Sequence, residues 1–226
     1  MTGIIQTMTA LKPVTVTQTP ALYIDANNIS SYPGTGTTIT DLSGNGYTQT
    51  LSNAAAYTVL SGVKCFDCSG TYIIYTAVSG LTLPTSGFTY IAWARMISSS
   101  VGWRTLFRTG PADHPLLVQL GSNTLGMFDN TANSFYSAGY DVASFANIWV
   151  QWAVTGDSSG QTFYINGQKV GTTVQTAAGN EHQWLGGVTN PNGQPFGYIA
   201  NCQLYTSMLP QQVIQQLYGN TRYIFS

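Results

Sequence analysis

Gln161-Thr-Phe-Tyr-Ile-Asn-Gly-Gln-Lys-Val-Gly171 places two short β-prone runs on either side of Asn166-Gly167. A two-residue type I′ hairpin loop needs positive φ at both central positions, and Asn-Gly meets that need with little strain. Residues 161–165 and 168–171 are therefore predicted to be antiparallel neighbours. Outward from this hairpin the texture repeats. Toward the N-terminus, residues 148–155, 124–128, 115–120, 103–108 and 88–97 are further β-prone runs between Ser- or Gly-rich breaks, and residues 134–138 fit as one more. Toward the C-terminus come residues 182–186 and 196–205. Residues 210–218 then read as a helix, with Pro210 at its start and Val213, Ile214, Leu217 and Tyr218 on one stripe. Many short strands, regular turns and one terminal helix predict an all-β sandwich. No shift of composition divides residues 21–226, so one domain is expected there.

Composition narrows the partners. Charged residues are 7% of the chain and the formal net charge is −1, so no basic field is available to hold a phosphate backbone. Nucleic acid is not an expected partner. The apolar runs are far shorter than a membrane-spanning helix requires, so no membrane partner is expected either. The polarity comes from Thr, Ser, Asn, Gln and Gly, which implies a neutral, hydroxyl-rich surface.

Residues 1–20 read as an extended arm. Lys12-Pro-Val-Thr-Val-Thr-Gln-Thr-Pro20 is Thr-rich and Pro-bounded, and Val14 and Val16 alternate with threonines as a strand would. Such a segment has little core to join, so it is expected to bind other subunits of a larger assembly through Val14 and Val16. No apolar core of the length a secretory signal needs is visible in this stretch. The three cysteines, Cys65, Cys68 and Cys202, do not form an even framework, which suits folding in a reducing cytoplasm. An extracellular texture combined with those two features points to a virus or phage particle component assembled inside a host. An extracellular protein is the alternative.

The order of several motifs carries a resemblance. Tyr23-Ile-Asp-Ala26, Ser31-Tyr-Pro-Gly34, Thr40-Asp-Leu-Ser-Gly-Asn-Gly46, Phe66-Asp67 with Tyr72-Ile73, and Phe88-Thr-Tyr-Ile-Ala-Trp93 come first. Asn147-Ile-Trp-Val-Gln-Trp-Ala-Val154, Thr162-Phe-Tyr-Ile-Asn-Gly167 and Ile199-Ala-Asn-Cys-Gln-Leu-Tyr205 follow, with Leu209 and the final helix. Together they resemble the laminin G-like branch of concanavalin A-like lectin/glucanase domains, a jelly-roll β-sandwich. Cys68 departs from the pattern, where Gly often follows the Phe-Asp pair. The resemblance implies sugar binding, protein adhesion, calcium-dependent recognition or, in the glucanase branch, glycan hydrolysis.

The residues bear on that choice. Retaining glucanases need two carboxylates about 5–5.5 Å apart. This chain has one glutamate, Glu181, and no two of its aspartates share the i, i+2 spacing that places side chains on one strand face. No enzyme is expected. Cys65-x-x-Cys68 lacks a second pair and a nearby histidine, so it reads as small buried hydrophobes rather than half a zinc site. Trp93 is expected in the core. Trp149 and Trp152, three residues apart, are expected on opposite faces of their strand. Trp103 and Trp184 sit at strand edges where an aromatic face could stack on a sugar ring. With His114, they are the candidate ligand-binding residues.

Strand parity adds a rim. Successive connections in an antiparallel sandwich alternate between its ends. The count places residues 110–114, the loop opening at Asp129-Asn130, residues 156–160 and residues 173–181 at one end. Asp113, Asp129, Asn130 and Asp157 are then the candidate ligands of a calcium ion, the one cofactor considered. The expectation is a non-catalytic virion surface module that joins particle subunits through residues 1–20 in an oligomer or larger assembly. A free-standing carbohydrate-binding or adhesion module is the alternative, and a glycoside hydrolase a distant third.

Overall fold

A computed structural model describes residues 17–76, 79–98, 102–110, 113–188 and 193–225. The first strands are β1 (Leu22–Asp25), β2 (Thr38–Ile39), β3 (Gln49–Leu51), β4 (Tyr57–Leu60), β5 (Val63–Cys68) and β6 (Ile74–Thr76). Next come β7 (Phe88–Met96), β8 (Arg104–Gly110), β9 (His114–Val118), β10 (Thr124–Asp129) and β11 (Ser134–Asp141). The last are β12 (Trp149–Asp157), β13 (Gly160–Ile165), β14 (Gln168–Thr173), β15 (Glu181–Leu185) and β16 (Gly197–Tyr205), followed by helix α1 (Gln211–Thr221). One sheet runs β14-β13-β12-β7-β16-β5-β4, with β1 also paired to β16; the other runs β11-β10-β9-β8-β15-β6-β3-β2. The strand pairings are antiparallel, and the sheets face each other across one apolar core. The all-β sandwich expected from the strand pattern is the fold observed.

The hairpin forms as its turn chemistry requires. Asn166 and Gly167 have φ of 51° and 77°, and Ile165 pairs with Gln168. At the tail, Pro210 is extended (φ −60°, ψ 149°) and immediately precedes α1, where its missing N–H costs no helical bond. The turn motif at Asp41 is structural: its carboxylate accepts from the backbone N–H groups of Tyr23, Ser43 and Tyr47.

The central strand β7 is buried on both faces. Tyr90, Ala92, Ala94 and Met96 point into the main core, while Ile91 and Trp93 point outward. Trp93 is buried as expected, in an apolar cluster that lies outside the space between the sheets. It is buried beneath the C-terminal segment, stacked on Phe225 at 4.1 Å and on Tyr218 at 5.7 Å between ring centres. The core position belongs to Trp152, whose Nε1 donates to the Ala94 carbonyl at 3.1 Å. Trp149 faces the other way, against Phe225. Helix α1 thus covers the outer face of the β7 sheet through Val213, Ile214 and Leu217, together with Leu209 just before it. Cys65, Cys68 and Cys202 are all buried free thiols. Val14 and Val16 lie outside the described residues.

Candidate functional site

The outer face of the β8 sheet carries no helix among the described residues, and its register builds a row of side chains. Directly paired residues point to the same side of a sheet. Trp184 on β15 pairs with Tyr75 on β6 and with Arg108 on β8. Phe128 on β10 pairs with His114 on β9 and Phe135 on β11. The neighbours Ile74, Leu185, Phe107 and Met127 face the core, which sends the row outward. Arg108 stands between the two halves, since β8 lies between β15 and β9 in the sheet.

Trp103 completes the aromatic end. It meets Phe128 and Phe135 edge-on at 5.6 and 5.4 Å between ring centres. Trp103, His114, Phe128, Asn130, Asn133 and Gln194 line a cavity of about 150 Å³. Trp184 lies apart from it, in a more open cavity of about 340 Å³ with Thr76, Glu181 and Gln183. The structure therefore brings Trp103, His114 and Asn130 together. It sets Trp184 on the same face, beneath the guanidinium of Arg108, whose Cζ is 3.6 Å from the ring centre.

His114 is held neutral. Burial, aided by the charge of Arg108, pushes its pKa down to about 3. Thr105 Oγ1 donates to Gln194 Oε1 at 2.6 Å and lies 2.9 Å from His114 Nδ1. With the hydroxyl proton committed to Gln194, Nδ1 must be the donor to Thr105, which leaves Nε2 as an acceptor. The cavity combines ring faces, amide groups and a neutral imidazole, a set suited to the hydroxyls of a ligand.

The rim loops meet as the parity count expects. Asp113 Oδ1 accepts from Asn130 N at 2.8 Å, and Oδ2 accepts from Asn180 Nδ2 at 2.8 Å. Asp129 accepts from Ala132 N at 2.8 Å and from Gln175 Nε2. Gln161 ties in the fourth loop through Pro115 O and Ala177 N, both at 2.9 Å. These carboxylates fasten the loops to one another. Asp157 instead takes Ser159 N and Oγ at 2.8 and 2.6 Å, and those bonds hold its pKa below the usual value. Among the described residues no three Asp, Glu, His or Cys side chains are grouped closely enough to hold a metal ion. Glu181 accepts from Gly80 N.

Sequence reasoning missed Arg108, Tyr75, Phe128, Asn133 and Gln194. Three irregularities of register, at Thr105/Phe107, Gly126/Phe128 and His182/Trp184, shift the alternation on which a sequence count depends.

The family model described as the concanavalin A-like lectin/glucanases superfamily matches residues 69–215. The chain belongs to this superfamily. Among solved structures, the chain is similar in fold to Trypanosoma rangeli sialidase in complex with sialic acid. That match has a TM-score of 0.63 and 14% identity, covering 91% of this chain and 33% of the other. It also extends to the botulinum neurotoxin serotype D ligand binding domain in complex with N-acetylneuraminic acid, with a TM-score of 0.61 and 12% identity over 89% of this chain and 51% of that one. The serotype D binding domain, with a TM-score of 0.64 and 13% identity, covers 89% and 52%. The chain thus spans a third to a half of these structures, at identities that establish the shared fold. No curated protein matches the sequence.

Proposed function

We propose that the chain is a non-catalytic glycan-binding module, displayed on a virus or phage particle to which residues 1–20 attach it. The observation that carries glycan binding is the cavity of Trp103, His114, Phe128, Asn130, Asn133 and Gln194 on the uncovered face. Its ring faces can stack on the C–H face of a sugar while amides and Nε2 of His114 take hydroxyls. Structures of the same fold in complex with sialic acid and with N-acetylneuraminic acid support a saccharide ligand. A glycan array followed by titration tests this reading. Binding should be lost in Trp103→Ala and kept in a variant of the opposite face such as Lys169→Ala; binding that survives Trp103→Ala contradicts it.

The non-catalytic part rests on the single glutamate, whose carboxylate is engaged by Gly80 N. Reducing-sugar release from β-glucans or xylans that disappears in Glu181→Gln would overturn it. The particle role rests on the Thr- and Pro-rich arm. Deleting residues 1–19 should leave the melting temperature nearly unchanged and weaken assembly, whereas a large fall in melting temperature would place the arm in the domain's own core.

A further inference from the structure

Arg108 is the charged member of the outward row, and its surroundings bear on which sugars the face selects. Stacking on Trp184, with Cζ 3.6 Å from the ring centre, fixes the plane of its guanidinium. Nε and Nη1 are buried and reach no acceptor, and of the three nitrogens only Nη2 is not enclosed. Arg104 makes an instructive contrast. Its Nε is also unpartnered, but Nη2 donates to Asn123 Oδ1 at 2.7 Å and Nη1 points at the Ile97 carbonyl, so that guanidinium is tied into the fold.

Among the described residues no carboxylate answers Arg108. Trp184 and then Tyr75 follow it on one side, and β9 with the neutral His114 is the neighbouring strand on the other. The nearby acids are committed elsewhere: Glu181 to Gly80 N, and Asp113 to Asn130 N and Asn180 Nδ2. A partly desolvated cation without a counter-charge weakens a fold. Such a group is retained where a ligand supplies the missing acceptor. Nη2 is the nitrogen a ligand can reach, and an ionised acceptor takes a charge-assisted N–H bond there about twice as strong as a neutral hydroxyl would. Carboxylate is the anionic group that uronic and sialic acids carry on the sugar itself.

We infer that Arg108 reads a sugar carboxylate, so that the glycan held on this face is an acidic one bearing a uronate- or sialate-type group. This rests on the glycan-binding reading above and names the ligand class of the same face.

The test is calorimetric titration, at low salt, with paired oligosaccharides ending in glucuronate, in glucose 6-sulfate, or in glucose. Wild-type protein should bind the glucuronate form at least about tenfold more tightly than the glucose form, the worth of one charge-assisted pair. Arg108→Gln should erase that preference and leave the glucose form unaffected. Arg108→Lys, which keeps the charge but not the flat stack on Trp184, should retain a weakened preference and covers the case in which Arg108→Gln fails to fold. Equal affinity for glucuronate and glucose forms overturns the inference while leaving glycan binding standing, as does a preference that persists in Arg108→Gln. Sulfate bound as tightly as carboxylate overturns the carboxylate assignment. Absence of binding to any of the three, together with a blank glycan array, overturns the glycan-binding reading and the inference with it.

Discussion

Acidification from pH 7.5 to 5.5 should remove about 3 kcal/mol of folding stability, and two buried histidines are the reason. His182 is enclosed between the sheets, with Nδ1 2.9 Å from the Tyr90 hydroxyl and Nε2 buried without a partner. Burial pushes its pKa from 6.5 down to about 3. His114 is pushed from 6.5 to about 3 by burial and then by the charge of Arg108. A histidine whose folded pKa is depressed stays neutral in the native state while the unfolded chain takes up its proton. Its stabilisation is complete above the unfolded value near 6.5 and declines as pH falls from there toward 3. In that window each histidine costs about 1.4 kcal/mol per pH unit, and integration from pH 7.5 to 5.5 gives about 1.4 kcal/mol apiece. Asp157, whose pKa is held below 3.8 by Ser159, titrates outside the range. The loss is a large fraction of the roughly 5–15 kcal/mol that holds a domain together. Urea unfolding at pH 7.5, 6.5 and 5.5 reads it as a falling midpoint at constant m-value. His182→Gln, whose amide can still meet Tyr90, should be less stable at neutral pH and show about half the pH dependence. Stability that is flat or rising between pH 7.5 and 5.5 would refute the reasoning.

Two further perturbations test separate parts of the molecule. Trp93→Ala removes the ring held between Phe225 and Tyr218 and the 2.7 Å bond from Nε1 to Thr221 Oγ1, and should cost about 3–5 kcal/mol and expose α1 to hydrogen exchange; a loss under about 1 kcal/mol would show that α1 docks without it. Asp129→Ala frees Ala132 N and Gln175 from the rim and should cost about 1–2 kcal/mol whether or not calcium is present. A millimolar or tighter calcium affinity that Asp129→Ala abolishes would instead restore the metal reading.

The elements that were legible in the sequence are those whose signal is local. Asn166-Gly167 demands its turn wherever it occurs, and the stripe of Val213, Ile214 and Leu217 needs only a surface to cover. The odd spacing of Trp149 and Trp152 correctly separated their faces. The burial of Trp93 was legible but its side of the sheet was not, because a period of two says which residues share a face and not which face is inside; with Trp152 and Phe196 filling the interior beside it, the small Ala92 and Ala94 belong inward. Loop parity could be counted because each strand reverses direction whatever its register, so the rim came together. The outward row could not be counted. Its members come from six strands, and each bulge between them exchanges inside for outside.

Gly171 on β14 has no room for a Cβ, because the Ala138 carbonyl of β11 stands against it. The outermost strands of the two sheets therefore abut on this flank, and the sandwich is nearly a barrel there. On the opposite flank β4 and β2 end their sheets, and Val59 of β4 is largely exposed. Among the described residues, the strand edges left open to another molecule thus lie on one side of the sandwich. A contact made through that side covers it, which disfavours strand-to-strand association that propagates as a fibre. That asymmetry limits aggregation without requiring surface charge, of which this sequence has little.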